Sequence, residues 1–271
     1  MHPRSCVSAI STFRLSLEED IAFWNAHAID TVGVSVAKLE ASGWDAGTDL
    51  VAAAVDRGLR VADLIGLGPF HLARPEGWER RRERLVRAVT AAGRLGAPRV
   101  VFTTGPFAPL TWEEAADALE RALAPVLHEA RRARVEFAIE HTNSLRVDVG
   151  FVHTLRDAID LARRLDTGVC MEVNACWAER DLAGTITNGV DRIGLVQVSD
   201  FRVGTVTSSQ RLVPGDGDIP LRRIVGDLLA AGYGGLFELE LIGDAIVGEG
   251  YDLAVPRAVR ALDELLRDLG A

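Results

Sequence analysis

Four polar side chains close apolar, strand-like runs in the second half of the chain. They are Glu140 in Val135-Glu-Phe-Ala-Ile-Glu140, Glu172 in Gly168-Val-Cys-Met-Glu172, Gln197 in Ile193-Gly-Leu-Val-Gln197 and Glu240 in Leu236-Phe-Glu-Leu-Glu240. Runs of this kind are buried in parallel sheets. A carboxylate at the end of one is costly unless it meets a cation, a donor or water. Three carboxylates and one amide oxygen suit a hard divalent cation, Mn²⁺, Mg²⁺ or Co²⁺, with water or substrate completing the shell. A cation held there polarises a carbonyl and acidifies an adjacent C–H or O–H. A carboxylate with a free oxygen then moves the proton. Glu238 competes with Glu240, because strand alternation puts both on one side. Glu136 shares the parity of Glu140 but stands at the start of its run. His141 follows Glu140 directly, so alternation turns it to the opposite face, where a structural or supporting role is expected.

These residues need strands to carry them. Short β-branched runs near 6–11, 30–36, 60–65, 98–103, 135–140, 168–173, 193–199 and 235–241 alternate with helical segments near 17–27, 48–57, 77–95, 111–133, 152–165, 178–189, 219–231 and 253–269. Thr111-Trp-Glu-Glu and Ser16-Leu-Glu-Glu are helix-start signals, and Gly58, Gly96 and Gly232 stand where helices should stop. Eight strand–helix pairs without a composition break predict one domain over 1–271, an α/β chain folded as a (β/α)8 TIM barrel. A doubly wound sheet is the alternative, but Ile10-Ser-Thr-Phe-Arg14 lacks the phosphate-loop glycines that fold usually carries. In a barrel the four strand ends converge on the face where barrel enzymes keep their chemistry. Three long loops follow strands onto that face, at 66–75, 176–181 and 200–218. The first carries His71 and Arg74 as candidate anion contacts. In the second, Cys176 follows Glu172 closely enough to face a pocket.

Composition narrows the classes. The 271 residues match the roughly 250 of one such barrel. A formal charge of −9 and a pI near 5.2 argue against nucleic acid as partner. Three cysteines with no Cys-x-x-Cys pair point to a reducing compartment. Cys170 reads as buried filler. Neither a signal peptide nor a membrane-spanning run is seen, so a cytoplasmic protein without a membrane partner is expected. Arg80-Arg-Arg-Glu-Arg84 reads as a solvated helix face.

Three segments bring the chain close to a known family. Pro214-Gly-Asp-Gly-Asp-Ile-Pro-Leu221, Leu229-Ala-Ala-Gly-Tyr-Gly-Gly235 and Phe237-Glu-Leu-Glu-Leu241 resemble the glycine-rich turn, the Gly-Tyr-x-Gly signal and the final metal-binding Glu of the xylose isomerase-like TIM barrel superfamily, the sugar phosphate isomerase/epimerase group. The resemblance covers most of the chain. It implies Glu240 rather than Glu238 as the last ligand and Glu140 as the first, with Asn143 beside it at the substrate. Val196-Gln-Val-Ser-Asp200 is similar to the family's His-x-x-Asp segment, which implies that Asp200 and Arg202 lie beside metal and substrate. The chain departs from the pattern in having Glu172 for the usual Asp, Gln197 for the usual His, and Asn174, Ala175, Cys176 and Trp177 where a substrate-contacting His is expected. Cys176 and Trp177, with Phe70 and Trp24, suggest a substrate less polar than a free sugar.

The resulting expectation is an enzyme: a metal-dependent isomerase or epimerase acting on a small hydroxy-carbonyl compound. Glu140, Glu172, Gln197 and Glu240 hold the metal, and Glu140 and Glu240 move the proton through an enediolate. The same site would serve a lyase or dehydratase, and a non-catalytic binding protein on a degenerate barrel is the non-enzyme alternative. Phosphodiester cleavage by a His-rich site is disfavoured by six scattered His and the acidic charge. A homo-oligomer is compatible with exposed Trp44 or Trp78 at an interface.

Overall fold

A computed structural model describes residues 1–67, 70–207 and 209–271. Gly68 and Pro69 of the 66–75 loop and Ser208 of the 200–218 loop lie outside the described residues. Eight parallel strands close into a barrel: β1 (Ser5–Ser8), β2 (Thr31–Ser35), β3 (Arg60–Leu67), β4 (Arg99–Thr103), β5 (Glu136–Glu140), β6 (Gly168–Glu172), β7 (Ile193–Val198) and β8 (Leu236–Leu239). Each pairs with the next in sequence. The ring shuts where β8 meets β1, with Cys6 opposite Glu238. The architecture is the (β/α)8 barrel that the alternating pattern predicts.

Alternation divides each strand between two cores. The outward set packs beneath the helices in one large apolar layer, which includes Val32, Val100, Ile139, Val169 and Val196. The inward set forms a small apolar plug of Ile65, Val101, Ala138, Cys170 and Leu195. The polar inward residues gather in two groups, Glu140, Glu172 and Glu240 in one and Cys6, Asp63 and Glu238 in the other.

Helix starts follow their caps. Ser16 and Glu19 cap Leu17–Ala26 reciprocally, at 3.2 and 2.7 Å, and Thr111 and Glu114 do the same for Trp112–Ala133. The first strand is shorter than its apolar run. Ser8 Oγ accepts from Ile10 N–H, and buried Lys38 donates to the carbonyls of Ala9 and Thr12 and to Asp20 at 2.5 Å. These bonds favour a 3₁₀ turn over Ala9–Thr12 in place of further strand. The segment after β6 also departs from expectation. A short helix, Val173–Cys176, starts at once because Glu172 Oε1 accepts from Asn174 N–H at 2.9 Å. No described helix is long and apolar enough to cross a membrane.

Candidate active site

Glu140 and Glu172 end β5 and β6, and Glu240 stands one residue beyond β8. One carboxylate oxygen from each lies within 4.8 Å of the other two. They open into a cavity of about 370 Å³ walled also by Thr142, Asn143, Arg146, Asn174 and Arg211, with Ile10, Val149 and Ile242 as apolar surface. The guanidinium of Arg211 enters this cluster. Its Nη1 lies 2.5 Å from Glu172 Oε2 and 2.5 Å from Glu240 Oε2. Among the described residues Arg211 makes no ion pair with Glu140, which is half-buried at the cavity wall.

Charge crowding sets the proton affinities. Burial, then the charges of Glu240 and Glu172, push the Glu140 carboxyl well above the ordinary carboxylate range. Burial raises Glu172 to about 7, against the opposing pull of Arg211. Burial works against the charge on Arg211, yet Glu172, Glu240 and Glu140 outweigh it and hold the guanidinium more firmly protonated than usual. His141 is fully buried and turned from the cavity. Its Nε2 accepts from the backbone N–H of Glu172 at 3.2 Å, which makes it the neutral, Nδ1-protonated tautomer. Burial, with His153 nearby, pushes its value down to about 3.

Arg211 was not singled out in the sequence, and Asp200 explains how it reaches the rim. The Asp200 carboxylate accepts from the N–H groups of Phe201, Gly215 and Ile219 at 2.8, 2.9 and 3.0 Å. Its backbone pairs both ways with Leu212, and Arg211 N–H donates to Ile242 at 2.7 Å. Asp200 is thus the buried pin of the loop after β7, with no place in the cavity wall. Arg202 is exposed and donates to the Asp216 carbonyl.

Other expected contacts are also placed elsewhere. Gln197 is fully buried, and its Nε2 donates to Glu238 Oε2 at 3.1 Å, away from the cavity wall. Register allows this, because Gln197 pairs directly with Glu238. Cys176 is buried beneath the wall with its thiol toward the Val173 carbonyl, and Trp177 packs on the outer apolar layer. His71 is exposed, and its carbonyl accepts from the indole N–H of Trp78. That bond and the packing of Phe70 bury Trp78, so it is not an exposed interface residue; Trp44 is half-buried. Phe70 and Trp24 are core side chains, so the four residues that suggested a less polar substrate do not line the cavity. Asn143 does line it, with Oδ1 taken by Leu145 N–H. Thr142 Oγ1 and Asn174 Nδ2 are buried wall atoms without a partner among the described residues.

Fold and site define a parallel barrel with an acidic cavity at the C-terminal ends of its strands. The chain belongs to the xylose isomerase-like TIM barrel family, whose model matches residues 21–267. Protein SMc04130 from Sinorhizobium meliloti 1021 is similar in structure, at 24% identity with 98% of each chain covered and a TM-score of 0.83. So is the IOLI protein, solved with a zinc atom, at 18% identity, TM-score 0.81, covering 98% of this chain and 97% of that one. D-Psicose 3-epimerase from Clostridium cellulolyticum H10, solved with D-tagatose, shares 16% identity and a TM-score of 0.75 over 98% of each chain. No curated protein matches the sequence.

Proposed function

We propose that the rim cavity moves a proton next to the carbonyl of a small hydroxy-carbonyl compound, as an isomerase or epimerase. The observation that carries this reading is the convergence of Glu140, Glu172 and Glu240 in one cavity of small-molecule size. The family includes a sugar epimerase among its structural relatives. Orphan polar atoms on Thr142 and Asn174 match hydroxyl groups of such a substrate.

A divalent cation fits this site. With all three carboxylates ionised, the trio less one guanidinium carries two negative charges, the complement of a divalent ion, and the donors are all hard oxygens. Glu140, Glu172 and Glu240 would hold it. Gln197 is not among the holders, because it does not line the cavity. The chemistry such an ion supplies is polarisation of the substrate carbonyl.

The rest belongs to the chain. Glu140, which makes no ion pair with Arg211, is the group placed to take the proton, and its raised affinity strengthens it as a base. Glu240 is held by Arg211 and returns the proton from the other side. Arg211 offsets the charge that Glu172 and Glu240 bring into the wall. Arg146, at the cavity mouth and bridged to Asp148, is the cation that an anionic substituent would meet.

Incubation with ketoses and hydroxy-ketones in D₂O, followed by NMR, tests the reading. Deuterium should enter at the carbon beside the carbonyl without loss of water. Glu140→Gln and Glu240→Gln should each abolish exchange in a folded protein, and near-normal exchange in either removes the assignment.

A further inference from the structure

A second polar cluster lies inside the barrel, and the proposed reaction does not use it. Cys6 on β1, Asp63 on β3 and Glu238 on β8 each bring one ligand atom within 4.8 Å of the others. Cys6 Sγ is 3.8 Å from Glu238 Oε1, and Gln197 on β7 is bonded to Glu238 Oε2. All four side chains are fully buried. Among the described residues no N–H or hydroxyl donor reaches either oxygen of Asp63, whose carboxyl lies against that of Glu238, and Gln197 Oε1 has no partner. Arg211 is engaged with Glu172 and Glu240, and Arg99 with Glu136. Among the described residues no lysine or arginine forms an ion pair with Asp63 or Glu238. On β2 a Cβ at Gly33 would fall 2.1 Å from Glu238 Oε1 and 2.9 Å from Asp63 Oδ1, so a side chain there would displace the carboxylates.

Two carboxylates in a dry interior have to be neutralised. A proton shared between them would leave the amide oxygen of Gln197 without a partner and the thiol with only a weak one. A divalent ion would engage the three ligand atoms that lie within 4.8 Å of one another, beside the unpartnered amide oxygen of Gln197. Thiolate sulfur and carboxylate oxygen are both donors that zinc accepts in four-coordinate sites. With bonds of about 2.3 Å to sulfur and about 2.1 Å to oxygen, tetrahedral geometry puts those two atoms roughly 3.6 Å apart. The Cys6–Glu238 separation is 3.8 Å.

We propose that Cys6, Asp63, Glu238 and Gln197 form a buried site for a thiophilic divalent cation of the zinc class, separate from the rim cavity. On binding, the Cys6 thiol releases its proton to solvent as its sulfur lone pair bonds to the ion. The glutamine at 197 then has two tasks on one amide, an N–H for Glu238 and an oxygen for the ion.

Cobalt distinguishes this site from the rim, because the rim trio contains no sulfur. The full-length protein is freed of metal by chelator during refolding and titrated with Co²⁺. A thiolate-to-cobalt charge-transfer band should appear and saturate at one ion per chain. Cys6→Ser should abolish the band and Asp63→Asn should weaken binding at least about tenfold, since even losing an outer-sphere partner costs about 10- to 100-fold. Cys170→Ser and Glu140→Gln should leave the band in place, which separates this test from the rim reading. Absence of the band in the folded wild-type protein overturns the proposal, whether or not the variants fold. A band that survives Cys6→Ser overturns it too.

Discussion

Replacing Arg211 by glutamine should tighten Mn²⁺ binding at the rim. Arg211 Nη1 touches Oε2 of both Glu172 and Glu240 at 2.5 Å. A divalent ion bonded to the same carboxylates at about 2.1 Å would sit roughly 4 Å from the guanidinium, where a double and a single charge repel by about 2 kcal/mol even at the dielectric of water and by about 8 kcal/mol at an effective value near 20. The lower figure alone corresponds to affinity about 30-fold tighter once the guanidinium is gone. If Arg211 instead swings away when metal binds, the parent protein must break two buried ion pairs, and the sign is the same. Without metal the effect on stability is opposite. Glu172 and Glu240 stay buried and lose their cation, and breaking a buried pair in this way costs about 3–5 kcal/mol. Titration calorimetry with Mn²⁺ and urea unfolding with and without Mn²⁺ measure both halves. Equal or weaker Mn²⁺ affinity in Arg211→Gln would refute the argument, because Arg211 would then be organising the carboxylates for the metal.

Other expectations follow from buried charge and from the loop pin. Lys38→Met leaves Asp20 buried without its ion pair and should cost about 3–5 kcal/mol in urea unfolding, with part regained in Lys38→Met/Asp20→Asn; a change below about 1 kcal/mol contradicts this. Asp200→Ala strips the acceptor from three backbone N–H groups, and each orphaned group costs about 1–3 kcal/mol. Hydrogen exchange at Phe201, Gly215 and Ile219 should accelerate together, and unchanged exchange would show that Asp200 is not the pin. His141 has an ordinary value of 6.5 and about 3 in the fold, because burial disfavours its charge. The unfolded chain therefore binds the extra proton first. The stability that comes from a neutral His141 is complete above pH 6.5 and drains as pH falls towards 3, by about 1.4 kcal/mol per pH unit. Unfolding of wild type and His141→Gln between pH 4 and 6 should differ in slope by about that amount, and parallel curves would sink the attribution.

Particular residues show what was legible in the sequence. The eight strands were readable because a parallel strand covered on both sides is one continuous apolar run, as in Val135–Glu140. The end of the first strand was not, since Lys38, far along the chain, ties down the carbonyls of Ala9 and Thr12. The rim carboxylates stood out as charges at the ends of runs that must be buried. Arg211 did not, because it sits between Gln210 and Leu212 in a segment with no periodicity, and the Asp200 bonds together with its own N–H bond to Ile242 carry it to the cavity. For Gln197 the parity was readable but the direction was not, because the amide is claimed by Glu238 across the β7–β8 ladder.

That bond couples position 197 to the rim. A histidine introduced alone at 197 would take from Glu238 its amide donor, and would meet a rim whose two oxygens already serve Arg211. Neither change is neutral by itself, so the two positions are expected to be epistatic. Gln197→His should be tolerated better in an Arg211→Gln background than in the parent chain.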